Sequence, residues 1–421
     1  MKPSYLRSFV LTFASAALFL TSSVQARPLE IWISSFADKT YYDSMVKLYK
    51  SKVDTNFQAN VQAFGFKEMP DKFAVAMRTK VNPPDIIQLD EIMLGLYLNG
   101  EVPFVDLTDR LKTSGLDKDI AAQRLGIFTY QGKTYGLPQS LSAMVLWYRT
   151  DLFAKNNIDP AKLVTWDDFL KVAEDLGSFG QTSLALDASY FEILLRQRGS
   201  DLLDDKGTVF PDMALAEDTL NWLVAAKDNG VGLISDRETI FDPVFFSGPV
   251  AAGQVLGIIG ADWYGLDMIQ ENAPEQKGKW QAMPLPAWKN KDGSLSKHTS
   301  TWAGQGLLIY KGTTEVDAAW KFMEFVMKDK EANSKRFVDG NSFPAYKPAW
   351  TDQTLLKPWP YFNNQNLGKL LAELGPDVPK VVTGPKRPNI VFLLQETFFS
   401  ELMNGNMTAK EVLEKIRELV K

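Results

Sequence analysis

The run Val255-Leu256-Gly257-Ile258-Ile259 constrains this chain more than any other stretch. An unbroken apolar run this short, bounded by turn residues, fits a strand covered on both faces, as in a parallel sheet flanked by helices. Gly260 stops the run. Asp262-Trp263-Tyr264 then fall where the strand ends, and Gly265–Asn272 is expected to turn helical. Ligands of open α/β sheets sit outside the carboxyl ends of the strands. A carboxylate and a large ring at that place suit a sugar, whose C–H faces stack on aromatics and whose hydroxyls donate to carboxylates. The same residues also suit a plainer role, with Asp262 as a helix N-cap and Trp263 as a core aromatic.

The start of the chain repeats the theme. Leu29–Ser34 reads as a strand running into a polar turn at Ser35–Asp38. Tyr42, Met45, Val46 and Tyr49 have helical spacing. Val61–Phe64 is a second strand, Met69–Val81 an amphipathic helix ended by Asn82-Pro83-Pro84, and Asp85–Leu89 a third strand closed by Asp90-Glu91. This alternation predicts a wound α/β lobe. A second lobe is expected from about 140 to 285, with Met144–Tyr148 as a strand and helices at Thr165–Leu176, Ser189–Gly199 and Met213–Asp228. Beyond it, Trp302–Tyr310 reads as a glycine-interrupted strand, Val316–Met327 as a helix, and Thr408–Val420 as a helix opened by a Thr408/Glu411 capping box. The length of 421 residues leaves room for two or three domains with large cores.

Several function classes drop out. The net charge of −5 and the lack of a basic stripe argue against nucleic-acid binding. With no cysteine there are no disulfides and no thiolate chemistry. The single histidine, His298, lies in a polar segment expected on the surface, so neither a Ser-His-Asp triad nor a histidine-rich metal site is supported, and no cofactor is expected. Paired acids of a glycosidase are the remaining catalytic option: Asp90, Glu91 and Asp262 are all predicted at strand ends. The two-lobe layout speaks against it, because it lacks the eight-unit repeat of a barrel.

Residues 1–26 read as an export leader. Lys2 and Arg7 precede the apolar core Phe9–Leu20, which is too short to span a membrane, and Val24-Gln25-Ala26 resembles a cleavage signal. No cysteine follows to carry a lipid. A soluble protein of the periplasm is the expectation.

At this point the chain resembles the extracellular solute-binding proteins of sugar ABC importers, the maltose-binding-protein-like family. The likeness rests on Trp32-Ile33 with Asp38-Lys39 and Tyr41, and on Pro84-Asp85-Ile86-Ile87 with Asp90. It continues through Tyr135-Gly136-Leu137-Pro138 and Trp147–Phe153, then Thr165-Trp166-Asp167-Asp168-Phe169, Gly260–Trp263, and Trp302–Gly306 ahead of Ala318–Phe322. Arg149 stands where the family has Asn, and Ala303 where it has Gly. The resemblance implies an α/β clamshell of two lobes, with wound, mainly parallel sheets and three crossings near 138–142, 284–289 and 330–345. One lobe would take 27–138 plus about 289–338, the other 139–288 plus about 339–421. It further implies a monomer that closes on a sugar and docks to a membrane permease. The substrate-binding residues expected are Asp38, Lys39, Asp90, Glu91, Asp262, Trp263, Trp302 and Tyr346. Asp38, Asp90, Glu91 and Asp262 also suit helix caps, and Trp302 also suits hinge packing.

Overall fold

Residues 27–176, 181–234 and 239–421 are described by the structure, a computed structural model. The leader expected over 1–26 lies outside the described residues. Among the described residues no helix is long and apolar enough to cross a membrane.

The wound start of the chain builds the first sheet from β1 (Leu29–Ile33), β2 (Ala59–Ala63) and β3 (Ile86–Asp90). A hairpin of β4 (Thr129–Tyr130) and β5 (Lys133–Thr134) precedes β6 (Gly136–Pro138). The second sheet holds β7 (Val145–Arg149), β8 (Thr182–Ala185), β9 (Gly232–Leu233), β10 (Val255–Gly260) and β11 (Trp280–Pro284). Then β12 (Gln305–Ile309) returns to the first sheet, giving the orders β2-β1-β3-β12-β6 and β11-β7-β10-β8-β9. Alternation along β1 sends Ile31 and Ile33 to a core with Tyr42 and Met45, and Trp32 to the opposite core with Phe73.

Both sheets are mixed rather than mainly parallel. β1 runs parallel to β2 and β3, and β8 parallel to β9 and β10, as helical crossovers require. β12 runs antiparallel to β3 and β6, and β7 antiparallel to β10 and β11. β7 and β12 enter their sheets straight from a crossing, without a flanking helix to fix their direction. The Val255–Ile259 run is central and buried along its whole length, between parallel β8 and antiparallel β7. Gly265 follows it because a Cβ there would enter the Trp147 ring, whose indole N–H donates to the Ala261 carbonyl at 3.1 Å.

Helix Phe36–Lys52 begins inside the expected turn, three residues before its end would allow. Ser35 caps it by accepting from the Asp38 amide, so Asp38 sits in the first helical turn. The expected strand Trp302–Tyr310 is shortened to β12, because Ala303 and Gly304 have φ of 56° and 111°. Thr408 and Glu411 form the capping box of helix Ala409–Leu419.

Three segments pass between the halves side by side. Gln139 donates to Gln305 O at 3.0 Å, Leu141 to Phe343 O at 2.8 Å, and Met144 to Ser300 O at 3.0 Å. The middle crossing therefore lies at Thr299–Gly304, not near 284–289. Residues Leu285–His298 stay with the second sheet: Leu285 N donates to His298 O, Ala287 bridges Thr165, and Trp288 packs on Trp166 and Trp222. Burying three indoles together holds that hairpin back. His298 is half-buried there, with Nδ1 3.0 Å from the Leu285 carbonyl, rather than on the surface.

Candidate functional site

The segment after β10 and the middle crossing bring two of the expected rings together. The Trp263 and Trp302 centroids are 6.2 Å apart, and Phe241, which no sequence signal had marked, joins them at 6.3 and 5.8 Å. The ring planes diverge by only 18° to 34°. Three near-equal separations are incompatible with a column, whose ends would be twice as far apart as its neighbours. Each ring packs on the other two, so the three form one compact aromatic cluster. All three are half-buried. The Trp263 indole nitrogen is buried without a hydrogen-bond partner among the described residues, whereas that of Trp302 donates to Glu192 Oε2 at 3.0 Å.

The expected polar contacts fare differently. Asp38 is 4 % exposed, and both its oxygens are committed, one to Arg336 at 2.8 Å and one to the Gln88 amide at 2.6 Å. Gln88 also bridges to Gln139 Oε1 and accepts from the Ser34 amide. Lys39 turns away and pairs with Asp43, one helical turn on, at 2.6 Å. Asp90 caps the short helix Glu91–Leu94 by accepting from the Ile92 amide. Burial, with Glu91 beside it, pushes its carboxyl up to about 7. Asp262 is fully buried and accepts from the Phe343 amide of the third crossing, and burial raises it to about 6. Its other oxygen has no partner among the described residues. Tyr346 is half-buried against the cores of both halves, and its backbone bridges Ile120. Both Asp38 oxygens are thus engaged, Lys39 is paired within its own helix, and one Asp90 oxygen serves as the cap.

Glu91 belongs to a buried charge cluster that sequence reasoning missed. Arg124, Arg196 and Arg387 surround its carboxylate at 3.6 to 3.9 Å, and neither oxygen has a hydrogen-bond partner among the described residues. Glu192 pairs with Arg196 and Arg387, and Asp201 lies 3.1 and 3.4 Å from the same two. Three acids therefore balance three guanidiniums, as buried charges must be balanced. Arg124 also holds the middle crossing, through Thr301 Oγ1 at 2.7 Å and the Ala303 carbonyl at 2.9 Å. Only Glu192 and Arg196, four apart on helix Ser189–Gln197, carry a local signal. The other members are scattered from position 91 to 387, and no spacing rule links them.

Among the described residues no three His, Cys, Asp or Glu side chains are grouped as metal ligands.

Comparison with known proteins adds to this geometry. Residues 44–357 match the family described as bacterial extracellular solute-binding protein. The arabinooligosaccharide-binding protein of Bacillus subtilis (strain 168) is 25% identical over 351 residues, covering 80% of this chain and 78% of that one. Among solved structures, an ABC substrate-binding protein of Listeria monocytogenes in complex with cycloalternan gives a TM-score of 0.72 at 20% identity, over 93% of this chain and 97% of that one. The galacto-N-biose-/lacto-N-biose I-binding protein of the ABC transporter from Bifidobacterium longum, in complex with lacto-N-biose, gives 0.73 at 16% identity, over 94% and 96%. At such identities the two structures establish the two-lobe binding-protein fold.

Proposed function

The chain belongs to the bacterial extracellular solute-binding protein family, and on that premise we propose that it captures a mono- or oligosaccharide between its two lobes for delivery to the membrane permease of an ABC importer. The observation that carries the sugar reading is the half-buried cluster of near-parallel rings, Phe241, Trp263 and Trp302. Pyranose rings pack on aromatic rings through their C–H bonds, and a preformed aromatic cluster costs little ordering on binding. The name of the Bacillus relative, an arabinooligosaccharide binder, supports the same class. Asp262, with one oxygen unpartnered beside Trp263, is the carboxylate we assign to a ligand hydroxyl. Tyr346, between the two cores, is assigned to the opposite side of the ligand. Binding then works by differential affinity: contacts from both lobes exist together only in the closed form, so ligand shifts the population toward it. Periplasmic location, leader removal at Ala26 and action as a monomer belong to the same proposal.

A hydrolytic role lacks support from the acids. Glu91 is enclosed by guanidiniums, and Asp90 gives one oxygen to a helix cap. The test is a thermal-shift and calorimetry panel on the chain without its leader, using arabinotriose, lactose, maltose and lacto-N-biose. A bound saccharide at about 100 times its Kd stabilises by about 2.7 kcal/mol. No uptake of any saccharide, or turnover of chromogenic glycosides, would overturn the proposal.

A further inference from the structure

We propose that Glu192 is a positioning residue for the saccharide platform: it holds the Trp302 indole and thereby fixes the ring face offered to ligand. The inference rests on the reading that Phe241, Trp263 and Trp302 receive a sugar. Glu192 is 1 % exposed and divides its two oxygens between two tasks. Oε1 takes the guanidiniums of Arg196 and Arg387, and Oε2 takes the Trp302 indole N–H at 3.0 Å. Two guanidiniums flank this carboxylate, and hydrogen bonds to a carboxylate are stronger than those to a neutral acceptor.

The backbone on either side of Trp302 is held as firmly. Arg196 takes the Thr301 carbonyl at 2.7 Å and Arg124 the Ala303 carbonyl at 2.9 Å. With the chain fixed, two side-chain rotations remain to the indole, and the N–H bond to Glu192 removes them. Trp263 has no such tether, since its indole nitrogen lacks a partner among the described residues. One ring of the cluster is therefore anchored through the hinge charges and the other by packing alone. A rigid ring loses no freedom when sugar arrives, so the anchoring converts into affinity.

Glu192→Gln separates this role from simple support. The amide can turn its oxygen to the guanidiniums or to the indole, but not to both. Arabinotriose, or whichever of lactose, maltose and lacto-N-biose the wild-type protein binds, is titrated calorimetrically. The expected loss of affinity is about tenfold. Asp201→Asn removes a carboxylate from the same cluster without touching Trp302. It is expected to lower the melting temperature yet keep affinity within about twofold. In the Trp302→Phe background, which lacks the N–H, adding Glu192→Gln is expected to cost no further affinity. An equal loss in Asp201→Asn, or additive losses in the double variant, would overturn the proposal. Should Glu192→Gln fail to fold, hydrogen exchange of the Trp302 indole in the wild-type protein decides the matter, its resonance being identified by its loss in Trp302→Phe. Slow exchange is expected, and exchange as fast as an exposed indole would overturn it. Because that readout needs no ligand, failure of saccharide binding and failure of the positioning role are told apart.

Discussion

Trp263 and Asp90 followed strands in the sequence in the same way, yet they do opposite work. Trp263 is part of an aromatic cluster and Asp90 ends as a cap. Trp263→Ala removes a ring whose contribution, by analogy with other aromatic contacts, is about 1–2 kcal/mol, or roughly tenfold in Kd. Calorimetry with the bound saccharide should show that loss with the melting temperature little changed, and unchanged affinity would refute the site. For Asp90 the prediction concerns pH. The unfolded chain releases this proton near about 3.9, and the folded protein releases it near 7. Between these values the native state binds more protons, so its stability falls as pH rises. Asp90→Asn keeps the capping oxygen and removes the charge. Melts should show no gain over wild type at pH 4 and a gain of about 1–4 kcal/mol at pH 8. Identical pH profiles for the two proteins would refute it.

At the scale of elements, the strands and helices of both halves were legible, because periodicity and turn residues are local signals. The middle crossing was not. The stretch near 284–289 reads as a passage between lobes, yet Trp288 is pinned by Trp166 and Trp222, from helices far away in the chain. The same limit hid Phe241 and the charge cluster, whose members meet only after both lobes have formed. What does turn the chain at the true crossing is Gly304, at φ 111° with the Arg124 guanidinium where a side chain would go. Gly304→Ala should therefore cost about 2–4 kcal/mol, from backbone strain and from displacement of a buried arginine. Urea denaturation measures this directly, and a cost below about 0.5 kcal/mol would mean that the turn tolerates a side chain.

At the scale of the whole molecule, Glu91 is the acid that meets guanidiniums from both halves: Arg124 beside it, Arg196 and Arg387 across the junction. Glu91→Gln leaves the buried cations in excess and should lower stability by about 3–5 kcal/mol. Urea denaturation tests this, and a neutral result would show that water or rearranged acids already balance the guanidiniums. Arg387 also sets a temporal order. The first half of the junction, Glu91 and Arg124, exists early in the chain, but the third cation arrives only with the closing stretch, where Pro388 and the Gly384 carbonyl seat against Gly95. A nascent chain lacking that stretch would hold unbalanced acid at its centre. Its final consolidation needs that closing stretch, and a C-terminal truncation before Arg387 would leave the centre unsealed however intact both sheets were.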